Sequence, residues 1–254
     1  MGKRRYKGRL FTRERVYVTG DRMELSIYPV FQKPGTRRAK SAPSSEIQKR
    51  LNEKNSINKA IRIVSLNFDS SSLAATLSYE TEPESIAEAD RILTNYLKRL
   101  RRAYRKAGLT LKYMRRTEKG KRSGRIHHHL YITGGLDRDY IEKLWGAGRC
   151  NTRRLQFGRD GVAGLTAYMA GQGKPRDTYR RWSCSRNMER PVAEEHDGRI
   201  DNDEADAIGE AAEDGLAQAE LEAMYPGWEC VECEGVRNIF NRGWYTYAVF
   251  RRRE

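Results

Sequence analysis

Three of the chain's four histidines stand together as His127, His128 and His129, between the charged turn Glu118 to Gly124 and the apolar run Leu130-Tyr131-Ile132. In an extended strand side chains alternate faces, so His127 and His129 project together while His128 points the other way. Two imidazoles placed like this are a ready pair of metal ligands. Glu118 offers a third, because the short glycine-containing turn folds the β-like stretch Leu111 to Arg116 and the histidine strand into a hairpin. A His-His-Glu set with open coordination positions suits Mg²⁺, Mn²⁺ or another divalent ion acting as a Lewis acid on phosphate. On its own a His-x-His pair on a strand is more often a surface or hydrogen-bonded pair than a metal site. The charge of the chain and a later tyrosine favour the metal.

The elements that must position these residues follow from the patterning. A β-like pair, Arg15 to Thr19 and Met23 to Val30, is followed by a Lys/Arg/Pro/Ser linker, Lys33 to Ser44. Ser45 can cap a helix to about Leu66, with Ile47, Leu51, Ile57, Ile61 and Val64 near helical spacing. Then come a strand (Leu73 to Tyr79), a helix (Ser85 to Ala107), two strands (Leu109 to Arg116 and Arg125 to Thr133), a helix (Asp137 to Trp145) and a strand (Arg149 to Phe157). This β-α-β-β-α-β order predicts an α+β, ferredoxin-like antiparallel sheet with its helices on one face, carrying the histidines on its third strand. Asp160 can cap a short helix that holds Tyr168 and ends by Gly173 and Pro175, with Lys174 just beyond it.

The expected organisation is a basic accessory segment over residues 1–70, a core over 71–175, and, over 176–254, an acidic helical segment with a C-terminal β-hairpin packing on the core. The hairpin is read from Trp228 to Arg237 and Gly243 to Arg252, with Asn241-Arg242-Gly243 near its turn. Cys230 and Cys233 have zinc-ligand spacing but lack a matching second pair, and strand residues are the plainer reading.

The formal net charge of +15 in 254 residues implies an anionic partner, with nucleic acid first among candidates. The charge is uneven. Residues 194–234 hold fifteen Asp and Glu against Arg199 alone, so this segment carries −14 and the rest of the chain +29. The acidic block reads as a loop, Glu194 to Asp203, and a helix, Glu204 to Met224, with Ala207, Ile208, Ala211, Leu216, Ala219 and Ala223 as a weak apolar stripe. It is either a solvated face or an element that competes with DNA for the basic surface. No apolar stretch is long enough to span a bilayer. Met1 to Leu10 is basic but is not followed by the apolar run of a signal peptide, so the expected location is the cytoplasm, without disulfides.

The stretch Thr117 to Gly120 leading to His127-His128-His129-Leu130-Tyr131-Ile132, followed by a helical tyrosine, resembles the HUH endonucleases. It is most similar to the rolling-circle replication initiators of small plasmids, phages and prophages. Three motifs correspond in order: Ala75-Thr76-Leu77-Ser78-Tyr79, the His-U-His strand at His127 to His129, and Tyr168. The resemblance covers about Leu73 to Lys174. It departs at His128, where the family usually carries a bulky apolar residue, and at Gly171, where it usually carries lysine three residues after the tyrosine. Lys174 lies six residues on.

The resemblance implies that Tyr168 attacks a phosphodiester in single-stranded or hairpin origin DNA, leaving a 5′-phosphotyrosine and a free 3′-OH. It implies Mg²⁺ or Mn²⁺ on His127, His129 and Glu118, Lys174 as a catalytic cation favouring the phenolate, and DNA contacts from Thr76, Ser78, Lys119, Lys121, Arg122 and Arg125. With no G-x-x-x-x-G-K-[ST] sequence, the helicase and polymerase would be the host's. A single candidate tyrosine implies either two molecules, as a dimer during successive strand transfers, or hydrolytic help. A mobilisation relaxase or single-strand transposase would use the same site on a different DNA. A non-catalytic basic nucleic-acid-binding protein is a further reading. A histidine-triad hydrolase is disfavoured, because Tyr131 occupies the third alternating position.

Overall fold

The computed structural model describes residues 8–31, 46–120, 123–158, 161–171, 181–238 and 243–253. In chain order the elements are β1 (Arg9–Thr19), β2 (Arg22–Phe31), α1 (Glu46–Asn67), β3 (Leu73–Ser78), α2 (Ile86–Lys106), β4 (Tyr113–Lys119), β5 (Ile126–Ile132), α3 (Arg138–Lys143), β6 (Cys150–Arg154), α4 (Ala163–Met169), β7 (Ser183–Cys184), β8 (Glu194–Asp197), α5 (Asn202–Glu213), α6 (Gln218–Met224), β9 (Trp228–Arg237) and β10 (Trp244–Arg252). The expected linker and its end at Ser45, the cap at Asp160 and the turn residues Asn241 and Arg242 lie outside the described residues.

The chain divides into two compact units, residues 44–190 and residues 1–43 with 191–254. The first holds an antiparallel sheet in the order β6-β3-β5-β4-β7. Its first four strands are the β-α-β-β-α-β set in ferredoxin-like order, so the α+β class and the sheet agree with the sequence. Helix α2 begins where Ser85 Oγ accepts the Glu88 N–H at 3.1 Å and Glu88 reaches back to the Glu84 N–H at 3.0 Å. Its buried residues Ala89, Leu93, Tyr96, Leu97, Leu100 and Tyr104 follow helical spacing and pack on Leu73, Ala75, Leu77, Leu130 and Ile132, together with Ile141 of α3 and Trp145.

The opposite sheet face is covered as well, which corrects the expectation of helices on one face only. Met114 and Tyr131, whose neighbours in the strands point toward α2, pack instead with Ile57, Ile61 and Val64 of α1 and Ala167 and Met169 of α4. Helix α1 thus belongs with the histidine sheet, and not with an N-terminal accessory segment. Its apolar positions had no visible partner in the linear reading, and the partner is the second face of the same sheet.

The other unit has the sheet order β8-β1-β2-β10-β9. The C-terminal hairpin forms as expected, and its ladder partner is β2, from Thr246↔Ile27 to Arg251↔Arg22. Residues far apart in sequence share one core here, so the tripartite division expected from the sequence gives way to two units. Helices α5 and α6 bury Ala205, Ile208, Ala212 and Leu221 against Leu25, Ile27, Ala248 and Phe250. The single acidic helix expected over 204–224 is broken at Gly215, whose φ of 73° ends α5 in a conformation that favours glycine. Leu216 is therefore exposed, and Ala217 and Leu221 take the buried positions.

The expected acidic loop is in part strand β8, paired to β1 from Arg13↔Asp197 to Val16↔Glu194. Arg13 bonds Asp197 at 2.6 Å and Glu195 at 3.1 Å, and Arg15 bonds Glu195 at 2.6 Å. This unit holds 18 Lys and Arg against 19 Asp and Glu, while residues 44–190 hold 31 against 15, a balance of +16. The acidic block offsets the arginines of its own unit. The excess positive charge of the chain lies with the histidine sheet.

Candidate metal centre and nucleophile

The β4–β5 ladder sets Glu118 opposite His127 and Arg116 opposite His129, and the β3–β5 ladder sets Ser78 opposite His127 and Thr76 opposite His129. Paired residues in an antiparallel ladder project to the same side. Glu118, Arg116, His127, His129, Thr76 and Ser78 therefore share one face, at the end of the sheet beyond Met114 and Tyr131. Glu118 Oε1 lies 3.2 Å from both His127 Nε2 and His129 Nε2. The carboxylate is buried and the two imidazoles are half-buried, with one ligand atom from each of the three residues all within 4.8 Å of one another. His127 Nδ1 lies 3.3 Å from Arg125 O, so a proton there would leave the Nε2 lone pair facing Glu118. Two neutral nitrogens and one carboxylate oxygen form a donor set that fits a divalent ion, and the three residues read from sequence are the three brought together.

His128 points to the other face and is fully buried. Its Nε2 meets Tyr79 Oη at 2.5 Å and its Nδ1 meets Thr117 Oγ1 at 2.9 Å. Burial, with Arg115 and the neighbouring histidines adding to it, pushes this imidazole down to about 3, so it stands neutral in the core. The polar middle position thus replaces an apolar contact with a cross-strand hydrogen-bond chain.

Tyr168 lies on α4, and its ring meets that of His129 edge-on, with centroids 6.3 Å apart and planes at 73°. Tyr168 is 56% exposed as a residue, with its ring held beside the candidate ligands. Thr76 is exposed on the same sheet face and Ser78 is half-buried, its Oγ bonding Arg149 O at 3.3 Å. Lys119 is exposed at the end of β4. Arg125 is exposed but engaged, with Nε 3.2 Å from Glu82 Oε2 and Nη2 donating to Tyr79 O at 2.5 Å, so it braces the hairpin base. Lys121, Arg122 and Lys174 lie outside the described residues.

Two residues of this face were given no positioning role from the sequence. Arg116 is 4% exposed, and its Nε donates to Glu118 Oε2 at 2.8 Å while Nη1 donates to Ala170 O at 2.9 Å. Tyr131 Oη donates to Leu165 O at 2.9 Å. The signal for both was the strand alternation already used for the histidines. Arg116 stands two before Glu118, and Tyr131 two after His129.

Residues 72–173 match the family model described as Replication-associated protein ORF2/G2P. The matched stretch runs from β3 through α4 and contains Glu118, His127, His129 and Tyr168, and it supports a replication-related function. No curated protein sequence matches the chain. Among solved structures, that described as the hypothetical protein ORF119 from Sulfolobus islandicus rod-shaped virus 1 is 12% identical, with a TM-score of 0.31, covering 50% of this chain and 98% of that one. A likeness this slight carries no functional weight. Among the described residues no helix is long and apolar enough to cross a membrane.

Proposed function

We propose that this chain is a replication initiator of the HUH endonuclease type, which nicks single-stranded or hairpin origin DNA by tyrosine transesterification. The observation that carries the proposal is the placement of the Tyr168 ring against His129, one of three residues whose ligand atoms converge on a single point. The match over residues 72–173 agrees with it.

In the proposed reaction Tyr168 Oη attacks the scissile phosphorus, and a phosphotyrosine ester forms as the bond from phosphorus to the 3′ oxygen breaks. The phenol proton passes to solvent and the departing 3′ oxygen takes one up, so one diester replaces another without a change of charge. The product 3′-OH can prime synthesis by the host's helicase and polymerase, and reversal of the same step can join strands. A divalent ion held by Glu118, His127 and His129 would supply Lewis-acid charge at the phosphate. The protein's own contribution is positioning: His129 packs against the phenol ring, and Tyr131 and Arg116 hold the α4 backbone on either side of Tyr168. The surplus of +16 in this unit would gather the phosphate backbone, with Thr76 and Ser78 on the ligand face of the sheet and Lys119, paired with Ile126, turned to the other face. With Tyr168 as the one nucleophile among the described residues of the site, successive transfers would use two chains.

Incubation with labelled single-stranded origin DNA and Mn²⁺, followed by denaturing electrophoresis, tests the proposal through a covalent protein–DNA adduct. A second reading, a basic DNA-binding protein without catalysis, is favoured by Gly171 standing where the resembled family carries lysine. Binding without any adduct would support that reading and remove the first.

A further inference from the structure

The departure at Gly171 has a physical counterpart in the fold. Gly171 follows α4 with φ of 86°, and a Cβ built there would lie 1.5 Å from Arg116 Nη1 and 2.3 Å from Arg116 Cζ. The volume that any side chain at position 171 would enter is already filled by a guanidinium coming from β4. That guanidinium is buried and bonded at both ends, to Glu118 Oε2 at 2.8 Å and to Ala170 O at 2.9 Å, two residues beyond Tyr168. Arg181 adds a second contact at the same turn, its Nη1 donating to Gly171 O at 3.2 Å.

Resting on the nicking reading above, we propose that Arg116 is a positioning residue that ties the candidate metal carboxylate to the tyrosine helix, and that Gly171 is required to admit it. The planar fork of arginine suits this task, because Nε and Nη1 are two donors in fixed geometry that serve the two acceptors at once. One end holds the Oε2 oxygen of Glu118, which orients the carboxylate so that Oε1 faces both imidazoles. The other end fixes the carbonyl at the C-terminal end of α4, while Tyr131 fixes Leu165 O near its start. The nucleophile is thereby held at both ends of its helix by side chains from the same sheet face that carries the ligands. A cation supplied by strand β4 stands where the resembled family draws one from the helix.

The test uses the full chain with Arg116→Gln, Arg116→Lys and Gly171→Ala, and reads Mn²⁺ affinity by electron paramagnetic resonance without DNA. It also reads single-turnover adduct formation and the Kd for the strand that wild type nicks. Loss of an outer-shell partner weakens metal binding by about 10- to 100-fold, so Arg116→Gln should fall in that range. Its adduct rate should drop by a similar factor while DNA Kd stays within about twofold. Arg116→Lys keeps the charge but loses the fork, so it should recover neither the Mn²⁺ affinity nor the adduct rate, with DNA Kd again within about twofold. Gly171→Ala leaves Arg116 in the sequence and displaces its guanidinium, so it should reproduce the same losses, and combining it with Arg116→Gln should add little. Wild-type Mn²⁺ affinity in folded Arg116→Gln, or a wild-type rate in Gly171→Ala, would overturn the proposal. If the wild-type chain forms no adduct, the nicking reading fails, and the Mn²⁺ measurements on the same variants still decide whether Arg116 organises the carboxylate.

Discussion

The ring of Tyr168 on α4 meets the ring of His129 on β5 edge-on, at 6.3 Å between centroids. This contact joins the residue read as nucleophile to one read as metal ligand, across 38 intervening residues of sequence. Tyr168→Phe keeps the ring and removes only the hydroxyl of a residue that is 56% exposed, so stability should change by no more than about 0.5 kcal/mol. Mn²⁺ affinity should be unchanged and the DNA adduct should disappear. Peptide mapping of the wild-type adduct is the direct check. Attachment to Tyr140 or Tyr179 would show that another phenol performs the attack.

His127→Ala and His129→Ala should each weaken Mn²⁺ binding and abolish nicking, with salt-sensitive DNA binding retained. Glu118→Ala should behave differently. It removes a ligand and also strands the Arg116 guanidinium, whose side chain is 3% exposed, as a buried charge without its carboxylate. A cost of about 3–5 kcal/mol is expected for breaking such a pair, against little for either histidine. Equal melting temperatures for Glu118→Ala and His127→Ala would count against the described geometry.

The ligand set was legible because strand alternation and a short turn are local properties, and Glu118, His127 and His129 needed nothing else. Tyr168 was legible only through the resemblance, since the chain has 14 tyrosines and helical placement does not distinguish one of them. Arg116 was hidden by its type. A charged residue on a strand reads as solvent-facing, and its burial depends on Ala170, 54 residues further along the chain, closing over the pair it makes with Glu118 of its own strand. The two-unit division was hidden for a similar reason, because the pairing of β10 with β2 spans nearly the whole sequence. Gly215 shows the opposite case. A glycine inside an otherwise helical run was a local signal, and the reading of one continuous helix passed over it.

His128→Leu restores the apolar residue usual at this position in the resembled family. Without the imidazole, Tyr79 Oη has Ala89 O at 3.1 Å and Thr117 Oγ1 has Asp90 Oδ1 at 3.1 Å as acceptors, so neither hydroxyl is left without a partner. The loss should be about 1–2 kcal/mol, the net worth of the bonds removed, measured by urea unfolding. Nicking should persist, because His127 and His129 stay on the other face. Loss of Mn²⁺ binding in a folded His128→Leu would mean that the imidazole chain, and not only the strand register, aligns the ligands.

Deleting residues 194–222 separates the two readings of the acidic block. A dispensable competitor for DNA would leave, once deleted, a folded protein with tighter and more salt-dependent non-specific binding, and a plain solvated face would leave the salt slope unchanged. The structure gives the segment a strand paired to β1 and core residues Ala205, Ile208, Ala212 and Leu221, so the deletion should abolish cooperative unfolding of its unit. The charge itself is tested by Glu195→Gln with Asp197→Asn, which keeps the strand and frees Arg13 and Arg15. Arg13 holds Asp197 below the ordinary carboxylate range, so in wild type this pairing is fully present above the unfolded value near 3.8. It is lost as pH falls through the lower folded value. The double variant should bind random single-stranded DNA more tightly at neutral pH, with a salt slope steeper by about one unit or more if both arginines reach phosphate. An unchanged slope in the folded double variant would assign β8 to the architecture of its sheet alone.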